Sequence, residues 1–455
     1  MKNKFKFMLL IPVLLVGLVV LVACNGDDDT DGTSDNGGNG TDNGEVVSTG
    51  ETSQGITDDE ILVGTTFVTS GAAAFIGVPI VDTFEAVINR VNEHGGIGGR
   101  QINLLAYDDG GDPAEGHVLL ERLLEEHEVF ALMGISGGSA PMSLGYMREF
   151  GAPVINITGG VGFMYEEYDP GSNIFLIQPS NAVDGPTLLA RVIATPVFGE
   201  NRDEYLADDA MIGVMVNATE AGDDITRGLE ALAAELGISD RLMIEVVTAD
   251  IYPTVIQQMM SNDVGVLING TLDSMGIIAA MSDAGWYVPV FGAYGTSTVA
   301  SYSPYTYDPR RPHFATIWAE DVSEQAIAML DDMRDALNYH PGLDDETRDA
   351  YVDNGFARAG YITAIVLVHG LERLEASGMD WTWDNFIIAM ESEPFNVGGV
   401  PEFSFADGRR MGVETMALWE YTAEQDASGE WEVSQAIVSG FMSIEEILES
   451  WHARQ

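Results

Sequence analysis

The sequence predicts an α/β protein made of two Rossmann-like lobes, each a parallel sheet with helices on both faces. From Ile61 onward, short apolar runs alternate with amphipathic helical stretches, which is typical of successive βα units. The alternation pauses around Pro179 and then begins again, which predicts a second lobe. The 455 residues, 46% of them hydrophobic, suffice for two or three domains.

The first βα series is expected before residue 179. Its strands are predicted at 61–67, 102–107, 129–134, 154–157 and 175–178. A helix over 78–91 follows from apolar residues spaced at 3.6-residue intervals. Pro113 is expected to open a second helix, because proline is favoured in the first helical turn. A third helix is predicted at 140–150.

The second series is expected to have strands at 211–216, 242–247, 264–268 and 290–291, with helices at 221–236, 252–262 and 274–284. The Tyr- and Pro-rich stretch 301–312 has no periodicity and predicts a loop or a cover over a cleft. Long helices are predicted at 323–339 and 347–377. The segments 403–405 and 415–421, with Asp407-Gly408 between them, predict a hairpin.

The N-terminus has the pattern of a secretory signal. Three lysines precede an apolar run at 7–22, which ends in Leu21-Val-Ala-Cys24 and resembles the lipobox of bacterial lipoproteins. We therefore expect a signal peptide over 1–23 and lipidation of Cys24. A transmembrane anchor is the alternative, but the run is short for a span. Residues 24–55 are expected to form an acidic, disordered tether. The folded part would then be lipid-anchored at the extracytoplasmic face of the cell membrane.

The charge and cysteine content exclude several function classes. The chain has 72 acidic against 20 basic residues, and its three lysines all precede residue 7. Such an acidic surface would repel nucleic acid. It is typical of proteins from saline or alkaline surroundings, where carboxylates maintain solubility and arginine keeps its charge. Because Cys24 is the only cysteine, the folded part has no disulfide and no Cys-based metal site.

Two loops of small residues follow neighbouring predicted strands. The run 129–134 leads to Ser136-Gly-Gly-Ser139, and 154–157 leads to Thr158-Gly-Gly160. Open α/β sheets bind ligands at the carboxyl ends of their strands. Glycines permit close approach of the backbone, and a following helix N-terminus favours negative charge. These loops therefore predict a site for an anionic or carbonyl group.

The same segment also fits the G-x-S-x-G pattern, which would make Ser136 a nucleophile. His94-Gly-Gly even resembles an oxyanion-loop motif. A hydrolase needs an acid and a histidine in addition. His313, His340 and His369 do not stand in recognisable loops after a late strand. We therefore expect Ser136 to bind rather than to react, and we expect neither enzyme activity nor a metal or cofactor.

The segment 92–113, NEHGGIGGRQINLLAYDDGGDP, resembles a signature of type I extracytoplasmic solute-binding proteins, the branched-chain amino-acid and amide binders of ABC importers. The likeness spans about 55–421 and includes 69–77, 134–158, 291–295 and 403–408. It implies the periplasmic-binding-protein type I fold, with a three-stranded hinge. Lobe one would be 56–178 with 320–410, lobe two 179–319 with 411–440, and 441–455 a C-terminal helical tail.

The resemblance also implies the site residues. Ser136 and Gly137 would hold a carboxylate or carbonyl, with Thr158, Gly159 and Gly160 forming the second gripping loop. Gly160 stands where the family usually has its key threonine. Phe75 and Ile76 would form an aromatic roof, although either could belong to the core.

Lobe two would contribute Ala221, Asp273 and Tyr294. Ala221 stands where an aromatic residue is common. Tyr294 stands where amino-acid binders carry an acidic residue that pairs with the ligand's ammonium, and a phenol does not replace a carboxylate there. Glu220 and Asp273 could substitute, or could be solvated loop residues. Amides, small carboxylates and aromatic acids are therefore candidates beside amino acids.

The resulting hypothesis is a monomeric protein that captures a small polar ligand by hinge closure and delivers it to an ABC permease and its ATPase. A ligand-sensing receptor of the same fold, feeding a signalling system, is the alternative. The sequence leaves open the ligand's identity and the role of residues 301–360.

Overall fold

The computed structural model describes residues 50–156, 158–162, 171–271, 273–296, 311–425 and 431–453. Cys24, the signal peptide and most of the expected tether lie outside the described residues, as does most of the stretch 301–312. Among the described residues, no helix combines the length and apolar character needed to cross a membrane.

The first sheet has five parallel strands in the order β2-β1-β3-β4-β5. Its strands are β1 (Glu60–Phe67), β2 (Gln101–Asp108), β3 (Ala131–Ile135), β4 (Val154–Ile155) and β5 (Ile174–Phe175). The helices between them are α1 (Ala74–Glu93), α2 (Pro113–Glu121) and α3 (Ala140–Phe150). Central strand β3 is buried along its whole length. Parallel neighbours require crossover helices, so the βα alternation dictates this arrangement.

The second sheet has seven strands in the order β12-β11-β10-β9-β8-β6-β7. They are β6 (Met211–Val216), β7 (Leu242–Val246), β8 (Val264–Gly270), β9 (Val290–Gly292), β10 (His313–Ile317), β11 (Met416–Gln425) and β12 (Trp431–Met442). Its helices include α4 (Asn181–Ala194), α5 (Glu220–Leu236), α6 (Tyr252–Ser261) and α7 (Ser274–Asp283). The pairs β10–β11 and β11–β12 are antiparallel, whereas the other pairs are parallel.

The remaining helices are α8 (Glu324–Leu337), α9 (Asp345–Val352), α10 (Gly355–Ser377), α11 (Trp383–Ser392) and α12 (Ile444–His452). Helices α8 and α10 pack on α1, beside the first sheet, whereas α12 packs on α4, beside the second. The chain therefore passes between the two sheets three times. Two of the crossing segments run side by side, since Gly412 N donates to Leu176 O at 2.8 Å and Val413 N to Ile177 O at 3.0 Å.

Most strands and helices predicted in the two βα series lie where expected, but the prediction of one helix over 347–377 is wrong. Helix α9 ends at Val352 and α10 begins at Gly355. The Asn354 side chain accepts hydrogen bonds from Phe356 N at 2.8 Å and Ala357 N at 3.1 Å. A side chain that captures backbone donors in this way starts a new helix instead of continuing the old one.

The predicted hairpin of 403–405 with 415–421 is also wrong. Strand β11 pairs with β10 and with β12, whereas Phe403 makes only an isolated bridge to Phe395. The alternation of apolar residues indicates a strand but not its partner. Helix α4 and strand β10 were not predicted. Almost every residue of α4 from Asp184 to Ala194 is buried, so the segment lacks the polar face that marks an amphipathic helix.

Both ends of the described chain contact the rest of the fold. The tether was expected to reach residue 55, but Ser53 N donates to Trp381 O at 2.9 Å, and Gln54 Nε2 donates to Leu124 O at 2.9 Å. Residues 52–55 are therefore attached to the fold. At the other end, Ile447 of α12 is 1% exposed and belongs to the apolar core around α4. The C-terminal segment thus forms a helix, as predicted, and this helix packs into that core.

Candidate ligand-binding site

The turn between β3 and α3 is the beginning of a helix. Ser136 N donates to Thr66 O of β1 at 3.1 Å. Ser136 O accepts from Ser139 N at 3.1 Å and from Ala140 N at 3.0 Å, as the first carbonyl of a helix does. Ser139 already has helical angles, φ −92° and ψ −27°. Helical hydrogen bonding therefore begins at Ser136, ahead of α3.

This helix start leaves several donors unused. The Ser136 side chain is buried, with the residue only 8% exposed, yet Oγ forms no hydrogen bond with any described residue. The N–H groups of Gly137 and Gly138 likewise donate to no atom in the described ranges. Backbone donors at a helix N-terminus, together with the helix dipole, favour a negatively charged or carbonyl oxygen. The turn thus presents unpaired donors, within the described chain, at the start of a helix.

The second predicted loop lies directly against this turn. Thr158 N donates to Ile135 O at 2.9 Å. A Cβ added to Gly137 would lie 1.7 Å from Thr158 O, so only glycine permits the contact. The fold therefore brings Ser136, Gly137 and Thr158 together.

The amides of Gly159 and Gly160 are engaged by a residue that the sequence analysis did not single out. With the side-chain amide of Gln178 oriented to satisfy its neighbours, Oε1 accepts from Gly159 N at 2.9 Å and from Gly160 N at 3.0 Å. The carbonyl of Gly160 accepts from Asn181 N at 2.7 Å. Gln178 stands just before Pro179, at the chain's first crossing between sheets, which is the one local signal that could have indicated it.

Tyr294 follows β9 of the second sheet and reaches the loop of the first. Its hydroxyl lies 3.3 Å from the Gln178 side-chain amide. A Cβ added to Gly160 would lie 2.7 Å from Tyr294 Oη. Burial raises the pKa of the Tyr294 phenol, and the nearby carboxylates of Asp184 and Asp224 raise it further. The phenol is therefore a neutral group that connects loops of the two sheets. Gly162 N, which donates to Asp224 Oδ2, adds a second connection.

Asp184 is a second residue that sequence reasoning missed. Its carboxylate, in the first turn of α4, is completely buried. It accepts hydrogen bonds from Thr316 Oγ1 at 2.6 Å and from Tyr294 N at 2.9 Å. Burial raises the pKa of Asp184 to about 7, although both hydrogen bonds act in the opposite direction. The Asp184 side chain thus fixes the backbone that carries Tyr294.

The two candidate roof residues have different surroundings. Phe75, in the first turn of α1, is 63% exposed and packs edge-to-face on Phe356, with ring centroids 6.0 Å apart. Ile76 is half-buried and packs against the apolar core. Phe75 is therefore the side chain with free surface to cover a ligand.

Asp108 fixes the loop that leads to α1. Its Oδ1 accepts from Thr69 N at 2.9 Å and from Gly110 N at 3.0 Å. Hydrogen bonds, with that of Ser70 the largest cause, lower the pKa of Asp108 to about 2. The loop before Phe75 is therefore held by a carboxylate that stays ionised to low pH.

Beside the second sheet, Asp273 caps helix α7. Its Oδ1 accepts from Gly276 N at 2.8 Å at the start of α7. Burial raises the pKa of Tyr252, and the Asp273 carboxylate raises it further. These contacts favour a structural role for Asp273. Ala221, the second residue of α5, is half-buried, and Glu220 before it is exposed.

The described residues around Ser136 do not show the histidine that activates a catalytic serine. No imidazole in the described part of the chain is hydrogen-bonded to Ser136; His117, for example, bonds Ser143 instead, with Nδ1 3.1 Å from Oγ. His369 lies within α10, where burial lowers its pKa. Among the described residues, no three His, Cys, Asp or Glu side chains are grouped so that they could hold a metal ion.

The comparison with known families fits this geometry. A family model described as periplasmic binding protein matches residues 60–427. The chain belongs to the periplasmic binding protein family. A comparison with curated proteins finds no match.

Solved structures of this family share the fold at low sequence identity. A branched-chain amino-acid ABC transporter protein from Thermus thermophilus, with bound valine, gives a TM-score of 0.69 at 14% identity and covers 87% of this chain and 100% of its own. A fatty acid ABC transporter substrate-binding protein from Thermomonospora curvata gives a TM-score of 0.67 at 16% identity. This match covers 88% of this chain and 96% of the other. A solute-binding protein from R. palustris, in complex with benzoate, gives a TM-score of 0.60 at 16% identity. This match covers 85% of this chain and 98% of the other. The periplasmic-binding-protein type I fold expected from the sequence is thereby confirmed.

Proposed function

We propose that this chain is the substrate-binding protein of an ABC importer, lipid-anchored at Cys24 on the extracytoplasmic face of the cell membrane. As a monomer it would capture a small polar ligand (an amino acid, an amide or a small carboxylate) and deliver it to a permease with its ATPase. The observation that carries the proposal is the helix start at Ser136. The hydroxyl of this mostly buried serine and two backbone amides have no partner among the described residues, and they suit an oxygen-bearing group.

The proposed mechanism is binding with closure, without chemistry on the ligand. Loops from both sheets meet at Gly160 and Tyr294, beside the segments where the chain crosses between sheets. Crossing segments of this kind can absorb the backbone rotation of a hinge. A ligand held by Ser136 in one lobe and touched by lobe two would favour the closed arrangement.

The head group of the ligand is better supported than the rest of it. The relatives named above bind valine or benzoate or are described as fatty acid transporter proteins, and these ligands share a carboxylate. A carboxylate or carbonyl oxygen suits the Ser136 turn, and the exposed ring of Phe75 suits an apolar body. The carboxylate of Asp273 is engaged in capping a helix, so an ammonium group would need another partner.

Matched ligand pairs test this proposal. The chain without its signal peptide would be melted with leucine or 4-methylpentanoate, phenylalanine or 3-phenylpropionate, and benzoate or benzamide. We expect at least one to raise the melting temperature, since a ligand at 100 times its Kd stabilises by about 2.7 kcal/mol. Comparing each amino acid with its counterpart without the amino group tests whether the site binds an ammonium group. Comparing benzoate with benzamide tests whether the site requires a negative charge. No shift with any of the six would contradict the proposal.

Two further measurements address the mechanism and the anchor. Small-angle scattering should give a smaller radius of gyration with the bound ligand, as closure requires. Cys24→Ala should move the protein from the membrane fraction to the soluble fraction. Turnover of p-nitrophenyl acetate that disappears in Ser136→Ala would instead establish a hydrolase.

A further inference from the structure

A buried carboxylate, Asp109, lies directly behind the turn that carries Ser136. Asp109 is 1% exposed and follows the last residue of β2. Its Oδ2 accepts from Ser139 Oγ at 2.8 Å, and its Oδ1 accepts from Gly111 N at 2.9 Å. Gly116 of α2 leaves the space for this pair, since a Cβ there would lie 2.6 Å from Ser139 Oγ. The contact joins the end of an edge strand to the candidate binding turn.

This hydrogen bond engages the Ser139 hydroxyl outside the helix. Ser139 has helical backbone angles and lies within the turn whose hydrogen bonding begins at Ser136. Its side chain makes no capping bond to a backbone N–H of α3 and donates to Asp109. The backbone N–H of Ser136 also has a partner outside the helix, since it donates to Thr66 O of β1. The helix start is therefore shaped by neighbouring strands rather than by its own side chains, and Ser136 Oγ is left without a partner among the described residues.

We propose that Asp109 is a positioning residue for ligand binding. By holding Ser139, it keeps the turn in the shape that presents the Ser136 hydroxyl and the amides of Gly137 and Gly138 to a carboxylate or carbonyl. The inference rests on the proposed function. It concerns a residue that itself touches no ligand.

The direction in which ligand affinity changes in Asp109 variants separates a positioning role from a purely electrostatic one. A carboxylate behind an anion site repels the anion, so removing its charge alone would tighten the binding of a carboxylate. Positioning predicts the opposite for Asp109→Ala, which removes the acceptor of the Ser139 hydroxyl. Asp109→Asn keeps a carbonyl oxygen for that hydroxyl and should retain the affinity.

The test measures affinity by calorimetry, using whichever of the six probe compounds above gives the largest melting shift. We expect Asp109→Ala to weaken binding about tenfold and Asp109→Asn to stay within about twofold. In a Ser136→Ala background, Asp109→Ala should have almost no further effect, since residues that act as one unit are not additive. Equal losses in both backgrounds, or an unchanged affinity, would overturn the proposal.

The matched control is Asp112→Ala in the same loop. Asp112 carries the same charge but caps α2, accepting from Ala114 N at 2.8 Å, and is exposed. It should change stability without changing affinity. Should Asp109→Ala not fold, Ser139→Ala removes the same hydrogen bond with the loss of one oxygen and carries the same expectations.

A measurement without ligand separates failure of this inference from failure of the proposed function. Hydrogen exchange of a peptide covering 136–144 should be about tenfold faster in Asp109→Ala and unchanged in Asp112→Ala. If no probe binds the unaltered protein, the proposed function fails while this arm still tests Asp109. Unchanged exchange in Asp109→Ala would overturn the positioning role.

Discussion

Ser136 differs from Ser323 and Thr219, two hydroxyl residues that cap helices in this chain. Ser323 Oγ accepts from Ala326 N at 3.1 Å, and Thr219 Oγ1 accepts from Gly222 N at 3.2 Å. In both cases the side chain satisfies a donor of its own helix. Ser136 is more deeply buried and leaves such donors unsatisfied within the described chain. The hydroxyl and these backbone donors are therefore available to a partner from outside the chain.

Replacing Ser136 by alanine should therefore weaken ligand binding much more than it changes the ligand-free protein. Loss of one hydrogen bond to a charged group costs about 1.5–3 kcal/mol, or roughly 10- to 150-fold in affinity. Calorimetry and melting of the ligand-free protein check the two effects. Ser323→Ala is the control, because it should lower stability by about 1 kcal/mol and leave affinity unchanged. Equal affinities of Ser136→Ala and the unaltered protein would contradict the role of Ser136.

Asp184 should make stability depend on pH. Because burial raises its pKa from 3.8 to about 7, the folded state holds the proton more tightly than the unfolded chain does. The contribution of Asp184 is therefore fully present below about pH 4 and lost as pH rises toward 7. Asp184→Asn, which stays neutral, should lack this loss. The free energy of unfolding in urea, measured at pH 5 and at pH 8, checks this. An equal difference between the two pH values in Asp184→Asn and in the unaltered protein would contradict the expectation.

At the scale of elements, the two loops that follow β3 and β4 form one unit. Their contact depends on Gly137, because any side chain there would meet the backbone of Thr158. Asn156, at the end of β4, adopts a left-handed φ of 66° and hydrogen-bonds Thr363 of α10 at 3.1 Å. Neighbouring elements thus fix both loops before any ligand binds.

Gly137→Ala should separate these loops. Since the added Cβ would lie 1.7 Å from Thr158 O, backbone must move, and overpacking of this kind costs about 1–3 kcal/mol. We expect lower stability and loss of ligand binding, measured by urea unfolding and calorimetry. Gly138→Ala is the stability control, because its added Cβ comes no closer than 3.9 Å to another atom. Equal stabilities of the two variants would contradict this interpretation.

The break between α9 and α10 depends on Asn354. Asn354→Ala removes acceptors for two backbone donors and should lower the free energy of unfolding by about 1 kcal/mol. The neighbouring Asp353→Ala should change stability little, since Asp353 is 88% exposed and lies 3.8 Å from Arg358. Urea unfolding of the two variants distinguishes a capped break from a loop. A smaller loss in Asn354→Ala than in Asp353→Ala would show that the cap is unimportant.

For the whole molecule, the formal net charge of −52 is the dominant electrostatic fact. Like charges on a compact chain repel one another, and salt shortens the range of this repulsion from about 10 Å at 0.1 M to about 3 Å at 1 M. The charge thus destabilises the folded state more in dilute buffer than in brine. This agrees with the saline or alkaline setting that the composition indicates.

Raising sodium chloride from about 0.05 M to about 1 M should therefore raise the melting temperature. A gain of 1 kcal/mol corresponds to roughly 2–4 °C in a domain of 150–250 residues. Scanning calorimetry at several salt concentrations checks this, and potassium chloride should act equally if screening is the cause. A melting temperature that stays constant or falls would contradict the electrostatic explanation.

The sequence by itself determined the α/β class, most strands and helices of both βα series, and the turn at Ser136. These depend on local patterns, namely apolar periodicity and small residues that follow a buried strand. The residue boundaries of the lobes and the ligand-binding roles stay predictions.

Only the tertiary structure identified Gln178, Asp184 and Asp109 as neighbours of the site. Each acts on a residue distant in the chain: Gln178 lies 116 positions from Tyr294, and Asp109 lies 30 from Ser139. Local periodicity carries no information about such partners, because a hydrogen bond between loops depends on how the sheets are assembled. For the same reason β11 was predicted as a strand while its pairing with β12 was not.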